Sequence, residues 1–268
     1  MNISVVIPVF KPDKIIFDKI RAKLKEQKYL GKIETIIIEK GSGLSTHINL
    51  GIKKSKYDIV VVLHQDCIPT SSKWLKLLVA PFEDKNVVAS VSRVEYPEEL
   101  WNKLNYIVKG LMVKEKGVIT SSLDGKAVSY RKSSLNNIGM YDENSFKTAG
   151  EDYDLYIKLK KIGKIAYPDA SVYHYHPTGF AQRIRKVYQY SNGYGALTRI
   201  HWTNMILWYV GIIKAVPFFG LITYPLSYPW KKGGLAIFPA YLASSLIDHL
   251  YYIFGFWKGF IDGKQTVR

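Results

Sequence analysis

The stretch "VVVLHQDCIP", residues 60–69, changes abruptly from apolar to polar. Valines and a leucine are typical of a buried strand, but His64, Gln65 and Asp66 follow at once, and Pro69 comes soon after. Strands that are apolar throughout belong to parallel sheets covered by helices on both faces. In open sheets of that kind, ligands bind outside the carboxyl ends of the strands. The polar side chains at this strand end therefore mark a candidate binding site.

The first half of the chain alternates short β-branched runs with amphipathic stretches. "ISVVIPV" and "IETIII" precede the strand at residues 60–63, and helices are expected near residues 13–28 and 45–54. This alternation predicts βαβ units, and so a Rossmann-like α/β fold with a mostly parallel sheet and helices on both faces. The carboxyl ends of its strands would be residues 8–10, 39–42 and 64–66.

Length and composition allow one sizeable core, or one catalytic domain with an appendage, since 47% of the 268 residues are hydrophobic. The formal net charge of +16 favours a polyanionic neighbour: nucleic acid, an anionic membrane face or a phosphorylated substrate. Nucleic acid is disfavoured because the basic residues are dispersed instead of alternating with aromatic ones. The single cysteine, Cys67, and an amino-terminal stretch that resembles a strand, not an export signal, indicate a reducing compartment.

Residues 202–257 are dominated by aliphatic and aromatic side chains. No uninterrupted apolar run there reaches the roughly 18 residues of an obvious membrane span. Tilted or kinked spans, an in-plane hairpin at the headgroup level and a soluble aromatic subdomain are the three alternatives. The basic residues that flank the region are Arg183, Arg185, Lys186, Lys231 and Lys232. They favour contact with an anionic leaflet. Alternatively, they form a solvated face that packs on the catalytic domain.

Two strand-end side chains suggest a metal site. A hard divalent cation that joins the Asp66 carboxylate to a diphosphate would explain an acid at that position. Alternatively, Asp66 organises the turn before Pro69 or caps a helix that starts near Ser71. In "SVYHYHP", His174 and His176 would point to one face of an extended segment, and His174 is a plausible second ligand if it is not merely an exposed polar residue.

Further carboxylates follow the other predicted elements. Glu39 ends the second strand, where its side chain would accept hydrogen bonds from a ribose or base, although an exposed turn glutamate is equally common. Glu151 and Asp152 start a predicted helix in "AGEDYDLYIKLKKIG". Acidic residues suit a helix amino terminus on dipole grounds alone, but paired acids there would also supply a general base.

Taken in order over residues 3–200, these stretches resemble the family 2 glycosyltransferases, which have the glycosyltransferase-A fold. "SVVIPVF" resembles the opening strand of the family, "HINLGI" its Asn-x-Gly segment, and "LHQD" stands at its Asp-x-Asp element. "IGMYDENSFKTAGEDYDLYIKLKKIG" is similar to its Gly-x-x-Asp-Glu and Glu-Asp stretch, and "VYH" fits the following histidine. Two departures are His64, which replaces the first acid of the usual pair, and Glu39, which replaces an Asp near the nucleoside.

The resemblance implies a role for each matching residue. Asp66 and His174 would hold Mg²⁺ or Mn²⁺ against the donor diphosphate, and Asp152, with Glu151 beside it, would act as the general base. The residues that would shape or approach the donor site are Pro8, Phe10, Glu39, Asn49, His64, Gln65, Asp124 and Gly125.

The sequence therefore predicts an inverting, metal-dependent transferase that moves a sugar from a nucleotide-sugar donor to a lipid-linked or cell-surface glycan acceptor. Residues 1–200 would form the catalytic domain, ending in an amphipathic basic helix. Residues 201–268 would form apolar helices associated with the cytoplasmic face of the cell membrane. The alternatives are a soluble transferase that acts on proteins or small molecules, and an inactive membrane scaffold with the same fold.

Overall fold

The computed structural model describes residues 1–117, 122–175 and 178–266. The chain forms two compact units, each assembled from separate segments. The first consists of Met1–Pro97, Ile119–Glu143 and Asp152–Tyr175, and the second of Glu98–Val118, Asn144–Glu151 and His176–Arg268. The composition of the sequence suggested a domain boundary at residue 200, and this boundary stays a prediction.

Nine strands occur in the described residues, all within the first unit. They are β1 (Ile3–Pro8), β2 (Ile33–Ile38), β3 (Ile59–Leu63), β4 (Cys67–Pro69), β5 (Val87–Val91), β6 (Arg93–Glu95), β7 (Ala127–Arg131), β8 (Lys164–Ala166) and β9 (Ser171–His174).

The helices are α1 (Lys14–Lys25), α2 (Leu44–Lys54), α3 (Trp74–Val79), α4 (Glu98–Lys103), α5 (Tyr106–Gly117), α6 (Lys132–Ile138), α7 (Glu151–Lys160), α8 (Phe180–Ile200), α9 (Met205–Leu207), α10 (Ile213–Ala215), α11 (Phe219–Leu226) and α12 (Trp230–Asp262). A 3₁₀ turn at Ala80–Glu83 and a π turn at Trp208–Ile212 complete the set. The helices expected near residues 13–28 and 45–54 are confirmed as α1 and α2.

The main sheet has the strand order β2-β1-β3-β7-β5-β8. The β1–β2, β1–β3 and β5–β8 pairs are parallel, as expected, but β7 runs antiparallel to both β3 and β5. The sheet is therefore mixed, and the prediction of a mostly parallel sheet is corrected at β7. The three parallel strands that precede the candidate site retain the predicted direction.

Alternation along the strands divides the interior of the first unit into two cores. Ile3, Val5 and Ile7 of β1 face one core, and Val6 faces the other. This is the period of two that a strand imposes. Helices α1 and α3 cover the first face, and α2 and α7 cover the second. A Cβ on Gly51 of α2 would lie 2.1 Å from a Val6 methyl carbon, so the close crossing of α2 over β1 requires glycine there.

A second, three-stranded sheet has the order β4-β9-β6. Strand β4 pairs antiparallel with β9, so that Cys67 lies opposite His174. The backbone N–H of Tyr175 also donates to the Asp66 carbonyl at 2.9 Å. This sheet brings two segments together that are about a hundred residues apart in sequence.

The second unit is helical, and α12 packs against α8 and α5. A Cβ on Gly110 of α5 would lie 2.4 Å from the Ala240 carbonyl oxygen, which shows how closely α5 and α12 approach. Helix α12 is kinked at Gly234, whose φ is 60°, and it contains Pro239. Among the described residues, no helix has both the length and the hydropathy that a membrane span requires.

Arg183 in α8 corrects one sequence expectation. Its side chain is buried and forms an ion pair with Glu115 of α5, whereas Arg185, Lys231 and Lys232 are exposed. A guanidinium that is buried and paired contributes to the packing of the helices, so Arg183 is not available to a membrane surface.

Candidate active site

Three loops meet at one edge of the main sheet. Pro8 of β1 lies opposite Ile38 of β2, and β3 runs parallel to β1 and ends at Leu63. The residues that follow these strand ends therefore lie at the same edge, which is where ligands bind in folds of this type. The structure thus places Pro8, Glu39 and His64 where the sequence predicted them.

Gln65 links two of these loops. Its side-chain carbonyl accepts from the Phe10 N–H at 2.6 Å, and its amide donates to the Phe10 carbonyl at 2.9 Å. Phe10 as a whole is 69% exposed, and the Lys11 ammonium lies 5.5 Å from the centroid of its ring. Gln65 therefore positions Phe10 through its backbone, and the ring is left accessible for stacking against a base.

Glu39 and Asn49 differ in their surroundings. Glu39 is exposed at the end of β2. Asn49 is buried, and its amide donates to the Tyr141 carbonyl and to the Glu143 carboxylate, both at 2.8 Å. Its side-chain oxygen accepts from the Tyr141 N–H at 3.1 Å. Asn49 thus anchors the segment before α7, and its predicted contact with the donor stays a prediction.

The predicted metal ligands lie together. Nε2 of His174 is 3.2 Å from Oδ2 of Asp66, and the His174 side chain is almost fully buried. Ligand atoms of Asp66, Cys67 and His174 all lie within 4.8 Å of one another. The alternative that Asp66 caps a helix is wrong, because α3 begins only at Trp74 and has no side-chain cap. His176, the other histidine of the pair, lies outside the described residues.

His64 is neutral in this setting. Burial lowers its pKa to about 4, although the Asp66 carboxylate acts in the opposite direction. Its backbone N–H donates to the Lys126 carbonyl at 2.8 Å. A neutral imidazole therefore stands where the family would have a second carboxylate, and the negative charge beside Asp66 is correspondingly reduced.

Lys126 is a site residue that the sequence analysis missed. Its ammonium lies 2.8 and 2.9 Å from the two carboxylate oxygens of Asp124. Burial opposes the charged form of Asp124, but the Lys126 charge and hydrogen bonds hold the pKa of that carboxyl below its usual value. A lysine two residues after an acid is too common to be a signal alone, although its neighbours Asp124 and Gly125 were predicted to lie near the donor.

Asp152 faces Gly125 and this ion pair. A Cβ on Gly125 would lie in ordinary van der Waals contact with the Asp152 Cβ, at 3.4 Å, so the two residues are close neighbours. Burial raises the pKa of Asp152, and the nearby Asp124 charge raises it further, while Lys126 lowers it. A partly buried carboxylate with a raised pKa is better matched to proton transfer near neutral pH. Glu151, the preceding residue, is buried at the start of α7.

The donor set suits a divalent cation. A carboxylate and an imidazole on adjacent strands are ligands for Mg²⁺, Mn²⁺ or Zn²⁺, and the partly exposed Asp66 leaves an accessible side for a diphosphate. The residues present therefore fit the metal that the resemblance implies.

Known structures share this architecture. A mannosyltransferase from Pyrobaculum calidifontis, in complex with GDP-Man and Mn²⁺, matches 98% of this chain and 85% of its own at a TM-score of 0.58 and 15% identity. Glucosyl-3-phosphoglycerate synthase from Mycobacterium tuberculosis, in complex with Mn²⁺, UDP-glucose and phosphoglyceric acid, matches 72% of this chain and 78% of its own at a TM-score of 0.51 and 15% identity. At these identities the likeness shows the fold alone. No curated protein sequence matches the chain.

The mixed sheet, its flanking helices and these neighbours define a glycosyltransferase-A type fold. Residues 22–189, more than half of the chain, match the model of the glycosyltransferase like family 2, and the protein belongs to that family. The predicted enzyme class, a glycosyltransferase, is thereby confirmed.

Proposed function

We propose that the protein transfers a sugar from a nucleotide-sugar donor to a lipid-linked or cell-surface glycan acceptor, with inversion at the anomeric carbon. The observation that carries this proposal is the arrangement of Asp66 and His174 at the edge of the sheet, with the Asp124, Lys126 and Asp152 cluster in the same unit.

The donor would bind at the strand ends. Phe10 offers an exposed ring to the base, and Glu39 offers an exposed carboxylate to the ribose. Asp66 and His174 would hold Mg²⁺ or Mn²⁺, which when bound neutralises charge on the departing nucleoside diphosphate. Two structural neighbours were solved in complex with GDP-Man and Mn²⁺ and with UDP-glucose and Mn²⁺, which supports a donor of this class.

Asp152 would take the proton of the acceptor hydroxyl. As that oxygen forms a bond to the anomeric carbon, the bond from this carbon to the diphosphate oxygen breaks on the opposite face. One displacement of this kind inverts the configuration. Asp124 and Lys126 set the charge around Asp152, since the Asp124 carboxylate raises its pKa and the Lys126 ammonium lowers it.

The helical unit supports an acceptor at a membrane surface. Large apolar side chains are exposed along α11 and α12: Phe219, Ile222, Leu226, Leu235, Leu246, Leu250 and Phe254. Exposed apolar area on this scale is typical of a surface that meets lipid or another chain. The exposed Arg185, Lys231 and Lys232 would favour an anionic leaflet, and we place the protein at the cytoplasmic face of the membrane.

A panel of nucleotide sugars tests the donor assignment. The melting temperature of the full chain should rise with one sugar nucleotide when Mn²⁺ is present, because a ligand stabilises the state that binds it. Asp66→Asn should lose the response, whereas Asp18→Asn, an exposed acid on α1, should keep it. Failure of every donor to bind would favour the inactive scaffold. Transfer of the identified sugar to a soluble acceptor but not to a lipid-linked one would favour the soluble enzyme.

A further inference from the structure

The metal cluster contains a third donor atom that the proposed mechanism does not use. Sγ of Cys67 lies 3.7 Å from Oδ1 of Asp66, and the other oxygen of that carboxylate is 3.2 Å from Nε2 of His174. In the β4–β9 pair, Cys67 is directly opposite His174. Cys67 and His174 thus lie side by side on the β4–β9 pair, and Asp66 directly precedes β4.

These separations match a shared cation. Metal bonds of about 2.0 Å to oxygen and nitrogen and about 2.3 Å to sulfur hold tetrahedral ligands roughly 3.3–3.6 Å apart. The two measured separations, 3.2 and 3.7 Å, differ from that range by tenths of an ångström. The two separations end on different oxygens of Asp66, and one ligand atom from each of the three residues lies within 4.8 Å of the other two. The three donors are therefore grouped closely enough to share one cation.

The thiol of Cys67 would bind some divalent cations in preference to others. Its side chain is fully buried, on the strand that pairs with the His174 strand. Without a cation, the thiol keeps its proton and donates toward the carboxylate. Mg²⁺ prefers oxygen ligands, whereas Zn²⁺ and Co²⁺ bind thiolate and imidazole.

We propose that Cys67 is a third metal ligand, which makes this a site for Zn²⁺ and Co²⁺ in preference to Mg²⁺. The proposal rests on the proposed function, in that Asp66 and His174 are the same metal ligands. Binding exchanges the thiol proton for the cation, so one proton leaves for each metal ion bound.

Cobalt absorption tests this assignment directly. The full chain, without donor, should develop a near-ultraviolet thiolate-to-cobalt band that saturates at one equivalent of Co²⁺ and disappears when Zn²⁺ is added. Because Cys67 is the only cysteine in the sequence, the band has one possible source. Cys67→Ser should lose the band yet retain weaker Co²⁺ binding, and calorimetry should show about one proton fewer released than in the wild type. Wild-type affinity for Zn²⁺ should exceed that for Mg²⁺ by on the order of 100-fold or more.

Two results would overturn the proposal. If Co²⁺ binds in a manner that depends on Asp66 but produces no thiolate band, Cys67 is not a ligand, and the proposed function is unaffected. If Cys67→Ser stays folded and binds Zn²⁺ as tightly as the wild type does, the thiolate contributes nothing to the site. The first result is read from the wild type and Asp66→Asn, so it decides the matter even if the Cys67→Ser chain does not fold.

Discussion

Nε2 of His174 lies 3.2 Å from Oδ2 of Asp66 because β4 and β9 pair antiparallel. The two side chains are thus preorganised to share one cation, without rearrangement of the backbone. We predict that Asp66→Asn weakens metal-dependent donor binding by at least about tenfold, since it removes the charge that faces the cation. Calorimetry with the identified donor and Mn²⁺ measures this. Unchanged affinity and an unchanged response to metal would remove Asp66 from the metal site.

Replacement of the proposed base separates chemistry from binding. Asp152→Asn should leave donor affinity unchanged and lower kcat by about 10²-fold or more, the usual effect of losing a positioned general base. Glu151→Gln is the matched control, because it changes the neighbouring acid in the same way and should reduce kcat less. The base assignment would be wrong if Glu151→Gln proved the more damaging change while both variants stayed folded.

Lys126 should control the pH dependence of the reaction. The base is active when deprotonated, so kcat/KM falls as the pH drops through the pKa of Asp152, which burial and Asp124 raise. Lys126→Met removes the neighbouring positive charge that lowers this pKa. We therefore expect the acid limb of the pH profile to move to higher pH, while Lys164→Met, an exposed lysine on β8, leaves it in place. A shift to lower pH would contradict the electrostatic scheme.

His64 should make stability depend on pH. Its folded pKa of about 4 lies below the unfolded value near 6.5, so the unfolded chain binds more protons between these values. Its contribution to the free energy of unfolding is therefore present above pH 6.5 and is lost as the pH falls toward 4. Urea unfolding at pH 7 and pH 5 should show a smaller difference for His64→Asn than for the wild type. An equal difference in both chains would sink the prediction.

The apolar surface of α11 and α12 should bind lipid. Leu226→Ser combined with Leu235→Ser should weaken binding to anionic vesicles by about tenfold or more, because each change removes apolar area that the bilayer would bury. The control pair is Ile15→Ser with Leu30→Ser, which alters two similarly exposed side chains of the first unit. Flotation at low salt measures the effect. Equal loss in both pairs, or no vesicle binding by the wild type, would contradict membrane association.

The sequence was sufficient for features that depend on local pattern. The apolar runs of β1, β2 and β3 predicted parallel strands, and the polar residues after them predicted the edge at which the site lies. The direction of β7 was not predictable, since "AVSYR" has the composition of a parallel strand and only its pairing with β3 and β5 fixes its orientation.

Features that depend on the pairing of distant segments could not be predicted from the sequence. Cys67 was counted only as a lone thiol, because its position opposite His174 follows from a pairing across more than a hundred residues. Gln65 was expected to contact the donor, yet the known use of its amide is to hold the Phe10 backbone. The sequence alone does not distinguish a polar side chain that contacts a ligand from one that forms an internal hydrogen bond.

The packing of α5 against α12 has a consequence for synthesis. Val108, Met112 and Val113 of α5 are buried, and α12 is a main partner of α5, although it begins more than a hundred residues later in the chain. A growing polypeptide would therefore expose the apolar face of α5 long before its partner emerges from the ribosome. Such an interval favours aggregation or capture by chaperones, and slow translation of the α12 codons would lengthen it.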